Sequence, residues 1–470
     1  MNNKLIIFLA SLLVLSMACS STKDLIIPAG DMAVIDLPAR TSRLSPEQAR
    51  AWNQADLMTD TIPGISLEKA YQYLDGRSST TVIVGVADTG LDVDHEDLKD
   101  VVWKNGKEVQ NGKDDDGNGF VDDLSGWNFL GDTYNENLEM TRMVRNFKAY
   151  FGNKSKAEVA PEEMKDYELY KKLEKEVAEK FAGSGYYYNL EFNARKDSPD
   201  PYDYSVKIYG DNKIKNTETG EAHASHVSGI IAANRNNDLG IRGIADNVKI
   251  MPLRVVPKGD EYDKDVALGI RYAVDQGAKV INASFGKGYS PNVDWVYDAI
   301  RYAAEKDVLL VLSSGNNGDN IDEVVTYPND RPGSGKEISD NVLMVGAITP
   351  RYDESLVAPF SNYGKQNVDI FAPGVSIYST VPDNRYRAMS GTSMAAPAAA
   401  GVAALLRSYF PKLTAAQVKK IIMNSGTRVD MEVMTPGGDP KLVPFSELSV
   451  SGRILNAYNA VKMADGLLNK

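Results

Sequence analysis

The chain has few residues of the types that cross-link proteins or ligate soft metals. Its 470 residues include one cysteine, Cys19, and three histidines, His95, His223 and His226. A single cysteine excludes an internal disulfide, so stability has to come from a buried core or a bound metal. Zinc at His223 and His226 would need further ligands, and His95 is the only other histidine. We therefore expect no zinc centre.

The chain also lacks a basic tract. Its formal net charge is −12 and its isoelectric point is near 5.0. Nucleic acids and anionic membrane surfaces attract clustered Lys and Arg, which release counterions on binding. An acidic chain without such clusters argues against both partners, and we expect no nucleic-acid binding.

No long transmembrane run is present near the N-terminus. The apolar run Leu5–Met17 follows Lys4 and is shorter than the about 20 residues that span a bilayer. It is typical of an export signal over residues 1–18. Its end resembles a bacterial lipobox, in which Cys19 would carry a lipid, although Ser16 stands where that motif prefers Leu. The alternative is a plain signal peptide with an incidental cysteine. We expect a bacterial cell-envelope protein, lipid-anchored at the outer membrane or cell surface, or secreted.

Hydrophobic periodicity predicts the fold class. Residues 20–65 are polar and look irregular, so we interpret residues 19–60 as a tether and N-terminal arm. From residue 81 onward, β-branched apolar runs alternate with helical patterns. This alternation predicts an α/β fold, a doubly wound, mostly parallel sheet with helices on both faces. The runs predicted as strands are Thr81–Ala87, Lys249–Val255, Ala278–Ala283 and Val308–Leu312, and helices are predicted at Asp263–Gln276 and from Val293.

One long segment interrupts this alternation. About 120 residues, at about 101–221, separate the first strand from the next recognisable helix. Within this insertion, Pro161–Gly183 carries apolar residues at helical spacing among Glu and Lys. The pattern predicts an amphipathic helix packed on the domain surface. The alternative is a flap that restricts which substrates reach a site. The C-terminal stretch Gly452–Asn469 predicts one last amphipathic helix.

Three polar stretches stand at ends of predicted elements, in the order Asp, His, Ser. Asp88 follows the first strand, His223 opens a helix, and Ser393 lies in Gly391–Pro397 (GTSMAAP), which opens another. A serine hydroxyl is a poor nucleophile until an imidazole takes its proton, and that imidazole needs a carboxylate to orient it. Alone, Asp88 would be a turn residue and Ser393 a helix cap. Together they predict nucleophilic catalysis, since carboxyl ends of parallel strands converge.

These stretches resemble the subtilase family of serine peptidases over about residues 60–465. The order Asp, His, Ser is that of subtilisin, and GTSMAAP is a highly specific motif. Three further stretches match the family in the same order, namely Gly277–Gly286 (GAKVINASFG), Ser313–Asn316 (SSGN) and Phe371–Thr380 (FAPGVSIYST).

The resemblance implies a catalytic domain at residues 61–466. It implies a serine endopeptidase, a monomer, that cleaves protein or peptide substrates through an acyl-enzyme. Asp88 would orient His223, His223 would be general base and acid, Ser393 would be the nucleophile, and Asn316 would donate to the oxyanion.

The resemblance also implies the residues that bind substrate. The backbone of three residues would pair with a peptide as an added strand, which favours broad specificity; they are Ser284, Phe285 and Gly286. Three others would form walls of the primary specificity pocket; they are Ser313, Ser314 and Gly315. His226 is expected to be structural.

One position departs from the family motif His-Gly-Thr-His. The chain has His223-Ala224-Ser225-His226, and Ala for Gly adds a methyl beside the imidazole. Two alternatives to an active peptidase stay open, and Ala224 favours only the first. One is a catalytically weak or inactive surface lipoprotein that grips peptides through residues 284–286. The other is an esterase of the same fold.

The insertion contains a second pattern, Asp114–Asp123 (DDDGNGFVDD). Oxygen ligands at alternate positions with Gly119 at the sixth match the start of an EF-hand loop. The twelfth position is Ser125, so an acid from elsewhere would have to close the ligand shell. We expect a structural Ca²⁺; the alternative is a solvated acidic turn. The predicted ligands are Asp114, Asp116, Asn118, Phe120 and Asp122.

Overall fold

The computed structural model describes residues 42–181, 185–196, 198–215, 221–333 and 335–468. The predictions for the export signal and for Cys19 lie outside these ranges. Of the described residues, no helix is both long and apolar enough to cross a bilayer.

Eleven α-helices occur in the described residues. They are α1 Pro46–Ala51, α2 Leu57–Asp60, α3 Leu67–Leu74, α4 Glu139–Phe151, α5 Met164–Phe181, α6 His223–Ala232, α7 Asp263–Asp275, α8 Val293–Glu305, α9 Thr392–Tyr409, α10 Ala415–Ser425 and α11 Ala457–Leu468.

Thirteen strands accompany these helices in the same ranges. They are β1 Val82–Asp88, β2 Trp127–Asn128, β3 Val248–Arg254, β4 Val280–Ala283, β5 Leu309–Ser313, β6 Val342–Ile348, β7 Ile370–Pro373, β8 Ile377–Val381, β9 Arg385–Met389, β10 Thr427–Arg428, β11 Glu432–Met434, β12 Leu442–Pro444 and β13 Arg453–Ile454.

A nine-stranded sheet forms the centre, in the order β10-β13-β7-β6-β5-β4-β1-β3-β2. Every neighbouring pair is parallel except β10 with β13. Its inner strands are buried almost throughout, which explains their continuous apolar sequences. Helices α7 and α8 pack on each other and on the sheet, and α6 packs on α9. The predicted α/β class with a mostly parallel sheet is confirmed.

The four predicted strands and α7 match the observed elements to within two residues, whereas α11 begins five residues after the predicted start at Gly452. All four predicted strands are present as β1, β3, β4 and β5, and the predicted helices correspond to α7, α8 and α11. The sequence analysis did not predict β6 or β7. It was wrong to expect irregular structure through residue 65, because α1 and α2 form there. Each of these short helices begins with a side-chain cap, from Ser45 and from Asp56.

The insertion builds a helical hairpin with a core of its own. The predicted amphipathic helix is present as α5, and its apolar face is buried. Its main partner, however, is α4 rather than the central sheet. The shared cluster is separate from the main core and contains Met140, Val144, Phe151, Val159, Tyr167, Tyr170, Leu173 and Val177. The amphipathic helix is therefore confirmed, with α4 rather than the domain surface as its main partner, and the flap remains a hypothesis.

Candidate active site

Asp88 and His223 meet at one edge of the sheet. Asp88 is the last residue of β1 and is buried, and His223 is the first residue of α6. The Nδ1 atom of His223 lies 2.8 and 2.9 Å from the two carboxylate oxygens of Asp88. The backbone N–H of Thr89 also donates to Asp88, at 2.7 Å. These contacts place the imidazole proton on Nδ1, which leaves Nε2 as the basic nitrogen.

The carboxylate changes the acidity of the histidine. Burial disfavours the charged imidazolium, but the charge and hydrogen bond of Asp88 outweigh it. The pKa of His223 is consequently raised above its usual value. The ring keeps 28% of its side-chain surface exposed, so an incoming substrate can reach it.

Ser393 is the second residue of α9, where backbone N–H groups have no partner within the helix. Its Oγ donates to the backbone oxygen of Ser284 at 3.1 Å, and Ser284 Oγ donates to the backbone oxygen of Ser393 at 3.0 Å. In the described part of the chain, no hydrogen bond joins Ser393 to His223. The hydroxyl has to leave the Ser284 carbonyl before it can donate to the imidazole, and such contacts often form only with substrate bound.

Asn316 is held beside Ser393 by the residue that precedes it. Its Oδ1 accepts from the backbone N–H of Thr392 at 2.8 Å and from the Thr392 hydroxyl at 3.0 Å. Since the amide oxygen is occupied there, the amide nitrogen is the part of this exposed side chain left to donate. The arrangement can place an N–H donor near the Ser393 hydroxyl.

The predicted substrate strand continues directly from β4. Ser284 is buried and hydrogen-bonded to Ser393, Phe285 is half-buried against the main core, and Gly286 is exposed. A Cβ added at Gly286 would lie 3.0 Å from the backbone oxygen of Tyr327, so this position favours glycine. The strand therefore ends in exposed backbone close to the serine.

The predicted pocket wall follows β5. Ser313 ends the strand, and Ser314 is buried, with its hydroxyl on the backbone oxygen of Asn362 at 3.1 Å. Gly315 has φ +105°, and a Cβ there would lie 2.4 Å from the side-chain nitrogen of Asn362. Sequence reasoning missed Asn362. No local pattern marks it, because its role comes from hydrogen bonds across 48 residues.

A family model described as the subtilase family matches residues 79–443. The chain belongs to the subtilase family. It is 40% identical over 263 residues to the cell wall-associated protease of Bacillus subtilis (strain 168), covering 53% of this chain and 27% of that one. It is 41% identical over 209 residues to the thermophilic serine proteinase of Bacillus sp. (strain AK1), covering 44% and 46%. The chain thus spans less than half the length of both relatives.

Two further proteins extend the comparison. This subtilase is 37% identical over 213 residues to thermitase of Thermoactinomyces vulgaris, covering 45% of this chain and 70% of that one. A solved protease structure from Pseudoalteromonas arctica PAMC 21717 has a TM-score of 0.52 and 23% identity, and the match covers 89% of this chain and 98% of that one. That structure supports the subtilase fold.

The position that departs from the family motif is accommodated. Ala224 is buried within the main core, its φ is not positive, and its backbone N–H donates to Thr89 at 3.2 Å. The backbone there is not in the left-handed region that favours glycine, so the feature that favoured an inactive binding protein loses its weight. His226 is structural, as expected, with Nε2 at 2.9 and 3.1 Å from the backbone oxygens of Ile377 and Arg387. Burial lowers the pKa of His226 to about 4.

In the Asp-rich loop of this subtilase, two of the predicted ligands lie beside an acid from outside the run. Carboxylates of Glu108, Asp114 and Asp116 all lie within 4.8 Å of one another. Asp122, predicted as a ligand, instead accepts hydrogen bonds from Gln110 and from the backbone of residues 111 and 112. Sequence reasoning missed Glu108, which lies six residues before the run and beside Asp114 and Asp116.

The remaining predicted ligands of the loop show local hydrogen bonds. The side-chain oxygen of Asn118 accepts from the backbone N–H of Phe120 at 2.7 Å, and its amide nitrogen donates to Asp123 at 3.0 Å. Gly117 and Gly119 both have positive φ, which lets the loop turn sharply around Asp114.

Proposed function

We propose that this subtilase is a serine endopeptidase that hydrolyses peptide bonds of proteins or peptides through an acyl-enzyme. Asp88, His223 and Ser393 form its triad. The observation that carries the proposal is the Asp88–His223 pair, bonded at 2.8 Å, with Ser393 at the start of α9 within the family motif.

The first half of the reaction forms the acyl-enzyme. Ser393 Oγ attacks the scissile carbonyl carbon while its proton passes to His223 Nε2. Negative charge develops on the carbonyl oxygen, which accepts hydrogen bonds from Asn316 Nδ2 and from the backbone N–H of Ser393. The C–N bond then breaks, and His223 gives its proton to the leaving amine. Asp88 stays ionised and stabilises the imidazolium.

The second half regenerates the enzyme. A water molecule attacks the ester carbonyl, and its proton passes to His223 Nε2. The C–O bond to Ser393 breaks, the serine oxygen regains the proton, and a carboxylic acid leaves. A substrate chain pairs through its main chain with residues 284–286, and one side chain enters the pocket beside Ser313–Gly315.

A fluorophosphonate probe tests the nucleophile directly. It reacts with a serine whose proton is taken by a neighbouring base and whose developing oxyanion is stabilised. We expect rapid labelling of the folded protein, with the adduct mapping to the peptide that contains residues 391–397. Ser408 is a buried serine of the same helix and serves as the internal control that stays unlabelled. A folded protein that takes no label in the presence of calcium would contradict the peptidase.

We also propose that the acidic loop holds a structural Ca²⁺. Three carboxylates, from Glu108, Asp114 and Asp116, would repel one another without a cation. Glu108 is only 6% exposed, and its Oε2 has no hydrogen-bond partner in the described residues. A buried carboxylate oxygen without a partner is costly, and hard oxygen donors of this kind suit Ca²⁺. The residues present therefore fit the ion.

Calcium is expected to raise the melting temperature. A ligand that binds only the folded state adds about 2.7 kcal/mol to the free energy of unfolding at 100 times its dissociation constant. Glu108→Gln and Asp116→Ala should remove most of this gain in calorimetry with and without a chelator. Asp122→Asn is the matched control, since it loses hydrogen bonds in the same loop but should keep the calcium response. Equal responses in all four proteins would place the ion elsewhere.

We further propose export and a lipid anchor. The support is the apolar run Leu5–Met17 ending at Cys19. Metabolic labelling with palmitate should mark the wild type and not Cys19→Ala, and equal labelling would locate the lipid elsewhere.

A further inference from the structure

The residue that follows the substrate strand carries a buried charge. Lys287 comes directly after Gly286, and only 2% of its side-chain surface is exposed. Its Nζ lies 2.8 Å from Glu139 Oε2, 2.9 Å from Asp263 Oδ1 and 2.8 Å from the backbone oxygen of Glu261. An ammonium group has three N–H donors. Two of them are matched by hydrogen bonds, to Glu139 and to the backbone of Glu261, and Asp263 completes the site as an ion pair.

The Glu139 carboxylate, which accepts a hydrogen bond from Lys287, belongs to the insertion. Glu139 begins α4 and is buried, and it also forms an ion pair with Arg142. Arg142 reaches the backbone oxygens of residues 260 and 261 and stacks 3.9 Å from the ring centre of Tyr262. Burial disfavours the Glu139 carboxylate, but Arg142 and Lys287 outweigh it and lower its pKa to about 2. Glu139 is therefore charged at every pH at which the protein would work.

The main chain of Lys287 is fixed as well. Its N–H donates to the backbone oxygen of Tyr327 at 2.8 Å, and the N–H of Tyr327 donates back at 2.9 Å. Tyr289, two residues further on, packs against the cluster that α4 and α5 share. The end of the substrate strand is thus held by Tyr327 on one side and by the insertion on the other.

These contacts couple two distant parts of the chain. Removing one partner of a buried ion pair leaves the other charge without compensation, which is strongly unfavourable. If α4 shifts, Lys287 has to shift with Glu139, and Gly286 is the adjacent residue. Misplacement of about 1 Å near a substrate site can lower catalytic efficiency about 100-fold. The insertion is therefore in a position to set the register of residues 284–286.

We infer that the insertion positions the substrate strand through the Glu139–Lys287–Asp263 cluster, and that Lys287 is a positioning residue for extended, unfolded polypeptide substrates. This inference rests on the proposed peptidase activity. Lys287 does not touch the reacting atoms. It acts by holding the backbone of residues 284–286 where an extended chain can pair with it, whereas a substrate too short to pair gains nothing from it.

The test compares two substrates across matched variants. Glu139→Gln and Lys287→Met disrupt the cluster. Asp265→Asn is the control, because Asp265 pairs with Arg195 of the insertion and is equally buried but does not contact Lys287. The substrates are a fluorogenic octapeptide and an N-acetyl amino-acid ester that cannot pair along the strand. Fluorophosphonate labelling rates report the nucleophile alone.

We expect both cluster variants to lower kcat/KM for the octapeptide about 10- to 100-fold, mainly through KM. Ester hydrolysis and labelling should stay within about 3-fold of wild type, since neither uses the strand. Asp265→Asn should lower the melting temperature while it leaves the ratio of octapeptide to ester activity unchanged. Glu139→Gln is nearly isosteric, so it carries the test even if Lys287→Met does not fold.

Two results would overturn the inference. One is an equal fall in octapeptide cleavage, ester hydrolysis and labelling, which would mean that the cluster only stabilises the fold. The other is unchanged octapeptide kinetics in a folded Glu139→Gln protein. If the wild-type protein takes no fluorophosphonate label, the proposed peptidase activity is contradicted. That result differs from the two above, which concern only the role of the cluster.

Discussion

Asp88→Asn is expected to lower kcat for peptide hydrolysis about 10,000-fold at pH 7, the magnitude known for the same change in a serine peptidase of another fold. An aspartate accepts a hydrogen bond from the N–H at His223 Nδ1, as the 2.8 Å contact shows. An asparagine can instead turn its NH2 group toward Nδ1, which moves the ring proton to Nε2. Nε2 then cannot take the proton of Ser393. Steady-state kinetics with a fluorogenic octapeptide measures the loss.

The pH dependence of kcat/KM tests the Asp88–His223 pair in a second way. His223 acts as a base only when it is neutral, so kcat/KM should rise with pH through the pKa of His223. Asp88 raises that pKa above its usual value of 6.5, so the acid limb of the wild-type profile should lie above pH 6.5. Without the carboxylate, burial alone acts on the ring and lowers the pKa, so the acid limb of the residual activity should move to lower pH.

A neighbouring acid provides the control for this change. Asp92 is also buried near the strand end, but it accepts hydrogen bonds from residues 94 and 383 rather than from His223. Asp92→Asn should leave the acid limb in place. An Asp88→Asn protein that keeps more than a tenth of the wild-type activity would mean that the carboxylate does not govern the imidazole.

The parts predictable from sequence are those encoded locally. A parallel strand buried on both faces needs a continuous apolar run, so β1, β3, β4 and β5 stand out without tertiary information. GTSMAAP is local too, because the helix start, the serine and the small residues that pack α9 are adjacent in the chain. The run of β6, VLMVGAI, is as apolar and as buried as that of β1, so the same pattern could have predicted it. β7 has only four residues, and its parallel pairing with β6 defines it.

The parts that sequence reasoning missed depend on long-range contacts. Glu108 gains its significance from the turn that brings it against Asp114 and Asp116. A lysine after Gly286 looks like an ordinary surface residue until Glu139, 148 residues away, is placed beside it. The amphipathic pattern of the sequence predicts helix α5, but periodicity alone does not show that its apolar face packs on α4.

Asn316→Ala is expected to lower kcat about 100- to 1000-fold with little change in KM, a magnitude established for this donor in subtilisin itself. The side-chain nitrogen of Asn316 stabilises the negatively charged oxyanion much more strongly than the neutral carbonyl of the bound substrate. Its loss should therefore appear in turnover rather than in substrate binding. Fluorophosphonate labelling of Ser393 should slow as well, because that reaction also develops charge on oxygen.

Alanine also removes the two hydrogen bonds that Asn316 accepts from Thr392, so a structural cause has to be separated from a catalytic one. Asn316→Asp separates them, since aspartate keeps an acceptor for Thr392 but offers no N–H and adds a negative charge. We expect Asn316→Asp to lose at least as much activity as Asn316→Ala. The adjacent Asn317→Ala, whose side chain is also exposed, should stay close to wild type. If Asn316→Asp retained near wild-type kcat, the role of Asn316 would be to hold Thr392, and the oxyanion would need another donor.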